Sequence, residues 1–431
     1  MNIFTSFPFS FNVDELGIIF AFVTVVVFVC SGIYSFEYMK KEENRGRYAF
    51  FYLAAFAVET AMCFASNLQT LYLCFELLTL MSVPLVLHEC TKESIMASLK
   101  YMLFSLFGAY MALFGIYFLA KMAGTTEFVS GGSVDAQVFS EHPELMMTVS
   151  LLMIVGFGVK AGMWPMHAWL PTAHPVAPAP ASAVLSAVIV KAGILGIVRS
   201  VYYVIGVTNL KGSIVQTVWM IIALITVFMG SMLAYREPVL KKRLAYSTVS
   251  QLSYISFGLA VMNEDAFTGS LLHVLSHGFI KAVLFLTAGA IIHYTGITRV
   301  DEMTGVGRKM PVTMWCYTIC SLGLIGIPPM GGFVSKWYLA IGSLESGVTV
   351  LDILGPVVLL VSALLTAGYL LPLTIKGFFP GENAPSDMLN RREPSMLMVV
   401  PIVILTVLSV VVGLLPNGVI SFIADVCRGL L

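Results

Sequence analysis

Four lysines stand inside long apolar runs of this sequence: Lys160, Lys191, Lys281 and Lys336. Glu59, Glu76, His273 and His277 share that setting. A charge inside hydrocarbon costs at least ~2.5 kcal/mol on insertion scales, so four such lysines exceed what anchoring a helix at a membrane surface requires. The chemistry open to them is proton binding and release, because burial and a nearby anion act in opposite directions on a lysine, and histidine titrates near neutral pH. His273, His277 and Lys281 are spaced i, i+4, i+8, which puts all three on one helix face. Such a face can pass protons through intervening water. Glu76, in the run Cys74-Phe75-Glu76-Leu77-Leu78, is the expected countercharge for a buried lysine, Lys160 above all. A plainer reading competes: a single buried Glu–Lys pair can merely fix helix packing, and a membrane histidine often only hydrogen-bonds a neighbouring helix. Glu59 carries the weakest argument, since it can pair locally or face another subunit. Lys100 and Arg199 lie nearer the ends of their apolar runs, where long side chains snorkel to the surface.

Helices must position these residues, and two of them must be interrupted. Near Lys160 the chain reads Val159-Lys160-Ala161-Gly162-Met163-Trp164-Pro165. Pro165 cannot donate to the carbonyl of Ala161, and Gly162 permits the distortion that follows. Ile327-Pro328-Pro329-Met330-Gly331-Gly332 repeats the design just before Lys336. A break beside a lysine exposes backbone carbonyls to an ion, as at the midplane sites of transporters. The breaks fall five spans apart, so a second five-helix unit would enter the membrane from the side opposite the first. The expected organisation is an N-terminal transmembrane helix over 1–47, one repeat over 48–204, an inverted repeat over 214–378 and a C-terminal helix over 379–431.

The chain as a whole fits a bundle in lipid. Of its 431 residues 58% are hydrophobic and 11% charged, against about 25% charged in soluble domains. Apolar runs of membrane-spanning length repeat along it, and they lack the alternation of a membrane barrel. The fold class is therefore all-α, with about twelve spans: roughly 14–37, 48–66, 69–88, 94–120, 147–168, 180–204, 214–234, 244–262, 267–293, 311–342, 353–378 and 395–415. Lys40, Lys41, Arg45, Arg47, Lys92, Arg236, Lys241, Lys242, Arg243, Arg299, Arg308, Lys309, Lys376, Arg391 and Arg392 all fall in alternate loops, which places those loops in the cytoplasm and both termini outside. The polar stretch near 121–146 belongs to the opposite side. Lysine plus arginine equals aspartate plus glutamate at 24 each, which gives no support to a nucleic-acid partner. The seven cysteines form no CxxC pair and read as small core residues. No GxGxxG, phosphate loop or metal-spaced cluster occurs, so no cofactor or metal is expected in the chain itself. No Lys or Arg precedes Lys40, which argues against a cleavable signal.

From Val159 to Arg199 the sequence reads VKAGMWPMHAWLPTAHPVAPAPASAVLSAVIVKAGILGIVR. That segment resembles the antiporter-like subunits of respiratory complex I (NADH-quinone oxidoreductase), of Mrp-type cation/proton antiporters and of membrane-bound hydrogenases. KKRLAYSTVSQLSY, HVLSHGFIKAVLFLTAG and the surroundings of Glu76 match the same family, over nearly the whole chain. The resemblance implies a proton half-channel in each repeat. Glu76 then modulates Lys160, the central lysine of the first broken helix, and Lys191 is the bridging lysine of the next helix. His273, His277 and Lys281 form the relay of the second half, and Lys336 is its terminal protonatable group. Family members usually have fourteen core helices; FNVDELGIIFAF resembles the third, so the first two are expected to be missing. One complex I branch carries glutamate where Lys336 stands, which aligns this chain with the lysine-bearing branches.

The function implied is translocation of protons or sodium by one subunit of a multisubunit complex in a bacterial or archaeal inner membrane. The chain itself carries no redox chemistry; the parent complex is expected to be a redox-driven translocase of the dehydrogenase or hydrogenase type. One rival is an Mrp-type sodium/proton antiporter without redox drive. Another is a haem-binding electron-transfer protein ligated by His273 and His277; two histidines at i, i+4 cannot reach opposite faces of one haem, which counts against it.

Overall fold

The computed structural model describes residues 9–381 and 390–431. The first residues of the expected 1–47 segment, and part of the loop expected near 376–392, lie outside them. In chain order the α-helices are α1 Glu15–Tyr38, α2 Arg45–Cys63, α3 Leu68–Val86, α4 Lys92–Ala123, α5 Ala136–Glu141, α6 Pro143–Lys160, α7 Leu170–Val176, α8 Ala179–Val184, α9 Lys191–Ser200, α10 Val207–Leu210, α11 Ile214–Arg236, α12 Leu240–Val261, α13 Glu264–Thr295, α14 Val306–Lys309, α15 Pro311–Ile325, α16 Gly331–Leu344, α17 Thr349–Phe378, α18 Met396–Leu414 and α19 Pro416–Arg428. No strand is formed among the described residues, as expected of a chain whose backbone groups must be satisfied within hydrocarbon.

Local sequence sets many of the ends. Asp14, Asn67, Thr91, Ser213 and Asn263 cap helix N-termini with their side chains. Gly124, Gly296 and Gly326 close helix C-termini in the left-handed region. Two irregular stretches were not foreseen: π turns at Leu185–Ile189 and Val201–Ile205 flank α9. The expected single C-terminal helix is two, because Pro416 starts α19 directly after α18.

Nine helical segments among the described residues are long and apolar enough to cross a membrane. Three further expected spans meet that standard less well. Helix α2 carries Arg45, Arg47 and Glu59, α12 is rich in hydroxyls, and α15 has only 15 residues before the second interruption. The centre of the bundle is α13 with the stretch Ala179–Ile205; their apolar windows are 94% and 100% buried, against 28% for the peripheral α17.

The connections sort into two ends. At one, Asn12 N donates to Phe64 O at 2.8 Å, Phe128 N to Ser66 O at 3.1 Å, Val129 N to Tyr203 O at 3.0 Å, and Asn263 Nδ2 to Gly342 O at 2.7 Å. At the other, an Arg47 guanidinium nitrogen donates to His88 O at 2.6 Å, Lys241 Nζ to Ala177 O at 2.9 Å, Val300 N to Pro238 O at 3.0 Å, and Arg392 N to Lys309 O at 2.7 Å. The basic loops meet one another at this second end.

Candidate functional site

Helix α6 stops at Lys160, five residues before Pro165. Gly162, at φ +77°, turns the chain, and the amides of Gly162 and Met163 fold back on Val159 O and Gly158 O at 3.1 and 2.9 Å. A side chain at 162 would be strained in that region and would meet Leu170 Cδ1 at 2.5 Å. The second interruption runs from Gly326, at φ +95°, to the start of α16 at Gly331. A Cβ at Gly332 would collide with Gly323 O, so α15 and α16 touch backbone to backbone there. Both interruptions contain a cis X–Pro bond, Trp164–Pro165 and Pro328–Pro329.

The ammonium of each lysine beside an interruption lies at the C-terminal end of a half-helix, where the backbone presents partial negative charge: Lys160 ends α6, and Lys336, early in α16, reaches back to the end of α15. Lys160 is the last residue of α6, fully buried, and donates to Thr79 Oγ1 at 2.6 Å. Its ammonium lies over the rings of Phe75 and Tyr101, at 5.1 and 5.4 Å from their centres. Lys336 reaches back across the second gap to Leu324 O at 2.6 Å and Ile325 O at 3.1 Å, with Tyr254's ring centre 4.9 Å away.

The expected direct pairing of Lys160 with Glu76 is not formed. Glu76 is half-buried and accepts from Tyr72 Oη at 3.3 Å, while Lys160 takes a neutral hydroxyl. The wholly buried carboxylate nearby is Glu59 of α2, whose Oε2 has no hydrogen-bond partner. Glu59 lies within electrostatic reach of both Lys160 and Lys191, and Glu76 of Lys160. Sequence alone under-weighted Glu59, because nothing in its own segment reveals that two lysines from elsewhere in the chain face it.

Lys191 donates to Ala187 O, one turn back, and its Nζ lies against Gly278 of α13, where a Cβ would come within 3.2 Å. That contact joins the two central segments. Along α13, Lys281 donates to Leu244 O at 3.0 Å, and the rings of His273 and His277 lie 5.8 Å apart. His273 is held at both nitrogens, by Ser335 Oγ at 2.9 Å and Gln251 Oε1 at 3.1 Å. His277 is buried with neither nitrogen partnered by protein. Buried polar nitrogens of this kind are the ones ordered water satisfies. The residues thus run as Glu59 and Lys160, Lys191, Lys281 with His277, His273, and Lys336, across the middle of the bundle.

Two buried groups escaped the sequence reading. His174, in the proline-rich stretch after the first interruption, is fully buried with both nitrogens unpartnered and stacks on Phe285 at 4.7 Å, within reach of Lys281 and Lys241. Arg199, expected to snorkel, is instead buried and pairs with both carboxylate oxygens of Asp14 at 2.6 and 2.7 Å, between the rings of Phe128 and Tyr203.

Fold and site define a multi-pass α-helical membrane protein built around two interrupted helices and a buried line of lysines and histidines. The chain belongs to the NADH:quinone oxidoreductase/Mrp antiporter family, whose transmembrane model matches residues 65–366; residues 2–49 match the model described as complex I chain 5 N-terminus. It is 33% identical to NADH-quinone oxidoreductase subunit N of Desulforudis audaxviator, over 94% of this chain and 81% of that one. It is 31% identical to hydrogenase-4 component B of Escherichia coli, over 94% of this chain but only 63% of the longer relative. Identity to a Na(+)/H(+) antiporter subunit of Bacillus subtilis is 27%, over 97% of this chain and 83% of that one. The fold matches a chain of the archaeal membrane-bound sulfane sulfur reductase at TM-score 0.87 and 22% identity, covering 100% of this chain and 85% of that one. It matches a chain of the Mrp complex of a Dietzia species at 0.86 and 21%, covering 97% and 84%.

Proposed function

We propose that this chain moves protons, or sodium ions in exchange for them, as a non-redox subunit of a larger membrane complex. The observation that carries the reading is the line of buried, titratable side chains, with the ammonium groups of the two lysines beside the interruptions each at the C-terminal end of a half-helix. So many ionisable side chains inside a membrane, where each is costly, exceed what helix packing requires. The two interrupted helices mark two related halves, 48–204 and 214–378, each holding one such lysine. Glu59, Glu76, Lys160 and Lys191 serve the first half; His273, His277, Lys281 and Lys336 serve the second. Gly162, Pro165, Pro328, Pro329, Gly331 and Gly332 hold the helices open beside them.

In this reading protons arrive through Lys160 and Lys191 and leave by way of Lys336. The drive is electrostatic: a shift in the field of Glu59 and Glu76 changes the proton affinity of the buried lysine. The basic end faces the cytoplasm of a bacterial or archaeal cell. The energy comes from a redox module in neighbouring subunits, and copurification of iron–sulfur or hydrogenase subunits tests that part.

The test of the translocation role is Lys160→Arg. Arginine keeps the charge but cannot release its proton, because its pKa lies above about 12. The assembled Lys160→Arg complex in sealed vesicles is expected to lose ion translocation entirely. Transport at the unmodified rate would show that Lys160 is a packing charge.

A further inference from the structure

The motif Lys241–Tyr254 supplies partners to the lysine–histidine line through Leu244, Gln251 and Tyr254, and it also carries an ordered set of hydroxyls. Ser247, Ser250 and Tyr254 share one face of α12 at i, i+3, i+7. Ser362, Thr366 and Tyr369 share one face of α17 at i, i+4, i+7, and the two faces meet, with Ser231 of α11 between them. All of these side chains are fully buried.

The hydroxyls bond to one another across helices. Ser247 Oγ and Tyr369 Oη lie 2.7 Å apart, and Tyr369 Oη donates to Thr366 Oγ1 at 3.2 Å. One turn along, Ser231, Ser250 and Ser362 form a closed triangle of hydroxyls at 2.6, 2.8 and 3.3 Å. Tyr254 Oη follows beside Ser362, donating to Leu359 O at 2.8 Å. The column begins at the basic end, where Arg243 holds Glu237 O and Tyr369 O at 2.7 and 2.9 Å. It ends at the aromatic ring over which Lys336 sits and on which His273 stacks. Ser98 and Ser150 bond only to a carbonyl one turn back; in the column Thr366 Oγ1 also reaches Ser362 O at 2.8 Å and Ser250 Oγ reaches Val227 O at 2.9 Å, so these two must turn from a carbonyl to pass a proton onward. Side chain to side chain bonds are the minority class in proteins, at about 10–15% of the total, and here they run in sequence along the membrane.

We propose that this hydroxyl column is a proton route between the basic end of the molecule and the His273–Lys336 pair. Each hydroxyl accepts a proton on a lone pair and passes its own to the next, so none changes charge over a full transfer. Water at the basic end supplies the proton, and the Lys336 amine or the His273 imidazole takes it. Two steps need a water: the turn between Tyr369–Thr366 and the serine triangle, and the step from Tyr254 to Lys336. At the second, Gln251 Nε2 is buried without a protein partner and is placed to hold one. The second half thereby gains a connection of its own to the basic side, while turnover still requires Lys160 and Lys191. The proposal rests on the translocation reading above.

Valine and threonine have the same shape and differ by one hydroxyl, so paired substitutions separate conduction from packing. Ser250→Thr, Ser362→Thr and Ser231→Thr are each compared with the corresponding valine variant in sealed vesicles holding the assembled complex, with Lys160→Arg as reference. The threonine variants are expected to transport within about twofold of the parent and the valine variants at least tenfold more slowly. Equal rates within each pair, whether both active or both inactive, would overturn the column while leaving the translocation reading to the Lys160→Arg result. Undiminished transport by Lys160→Arg itself would fail that reading instead.

Discussion

Lys160 is wholly buried and its close partner is a neutral hydroxyl, Thr79 Oγ1. A lysine clamped by a carboxylate would hold its proton; one held by a hydroxyl and two ring faces is left sensitive to more distant charge. Two carboxylates supply that field, and they differ in setting. Glu76 is half-buried and bonded to Tyr72, whereas Glu59 is buried with an unpartnered oxygen and acts on two lysines. Removing the Glu59 charge should disturb Lys160 and Lys191 together. Because both lysines lie in the field of this one carboxylate, Glu59→Gln is expected to slow translocation several-fold in an assembled complex. An unaltered rate would return Glu59 to a packing role.

At the scale of elements, the apolar runs located the helices and the proline–glycine pairs located both interruptions. The end of α6 was less legible. Pro165 marks the place where the helix cannot continue, but the turn is made earlier, at Gly162, because the amides of Gly162 and Met163 find carbonyls within their own chain. The pairing of Arg199 with Asp14 was illegible because it joins residues 185 positions apart. Burial of His174 depended in the same way on Phe285, from a helix far along the chain. The Arg199–Asp14 pair ties α9 to the N-terminal cap of α1, since Asp14 also accepts from Gly17 N at 3.0 Å. Removing one partner of a buried pair strands the other charge, at a cost of about 3 kcal/mol where burial is deep. Asp14→Ala should therefore lower the thermal stability of the complex, and Asp14→Ala with Arg199→Met should recover much of the loss. A double variant no more stable than Asp14→Ala would mean that the pair does not hold α1 in place.

For the whole molecule, the distribution of backbone contacts bears on topology independently of the count of basic residues. Among the described residues, loops assigned to the cytoplasm hydrogen-bond to loops with the same assignment, as in Arg47 with His88 and Val300 with Pro238. The stretch after α4 instead meets the ends of α2 and α9, through Phe128 with Ser66 and Val129 with Tyr203. An odd error in the number of crossings would have placed basic and acidic loops against each other. Two positions read this out directly. Gly46 has open space around it, so a cysteine there displaces nothing, and Ser140 is exposed beyond α4. Cys90 is an exposed free thiol at the same end as Gly46 and is first replaced by serine. In right-side-out vesicles a membrane-impermeant maleimide should label Ser140→Cys and leave Gly46→Cys unlabelled until the membrane is opened. Labelling of both from one side would break the alternation of spans, and with it the placing of Lys160 and Lys336 on related, oppositely oriented interrupted helices.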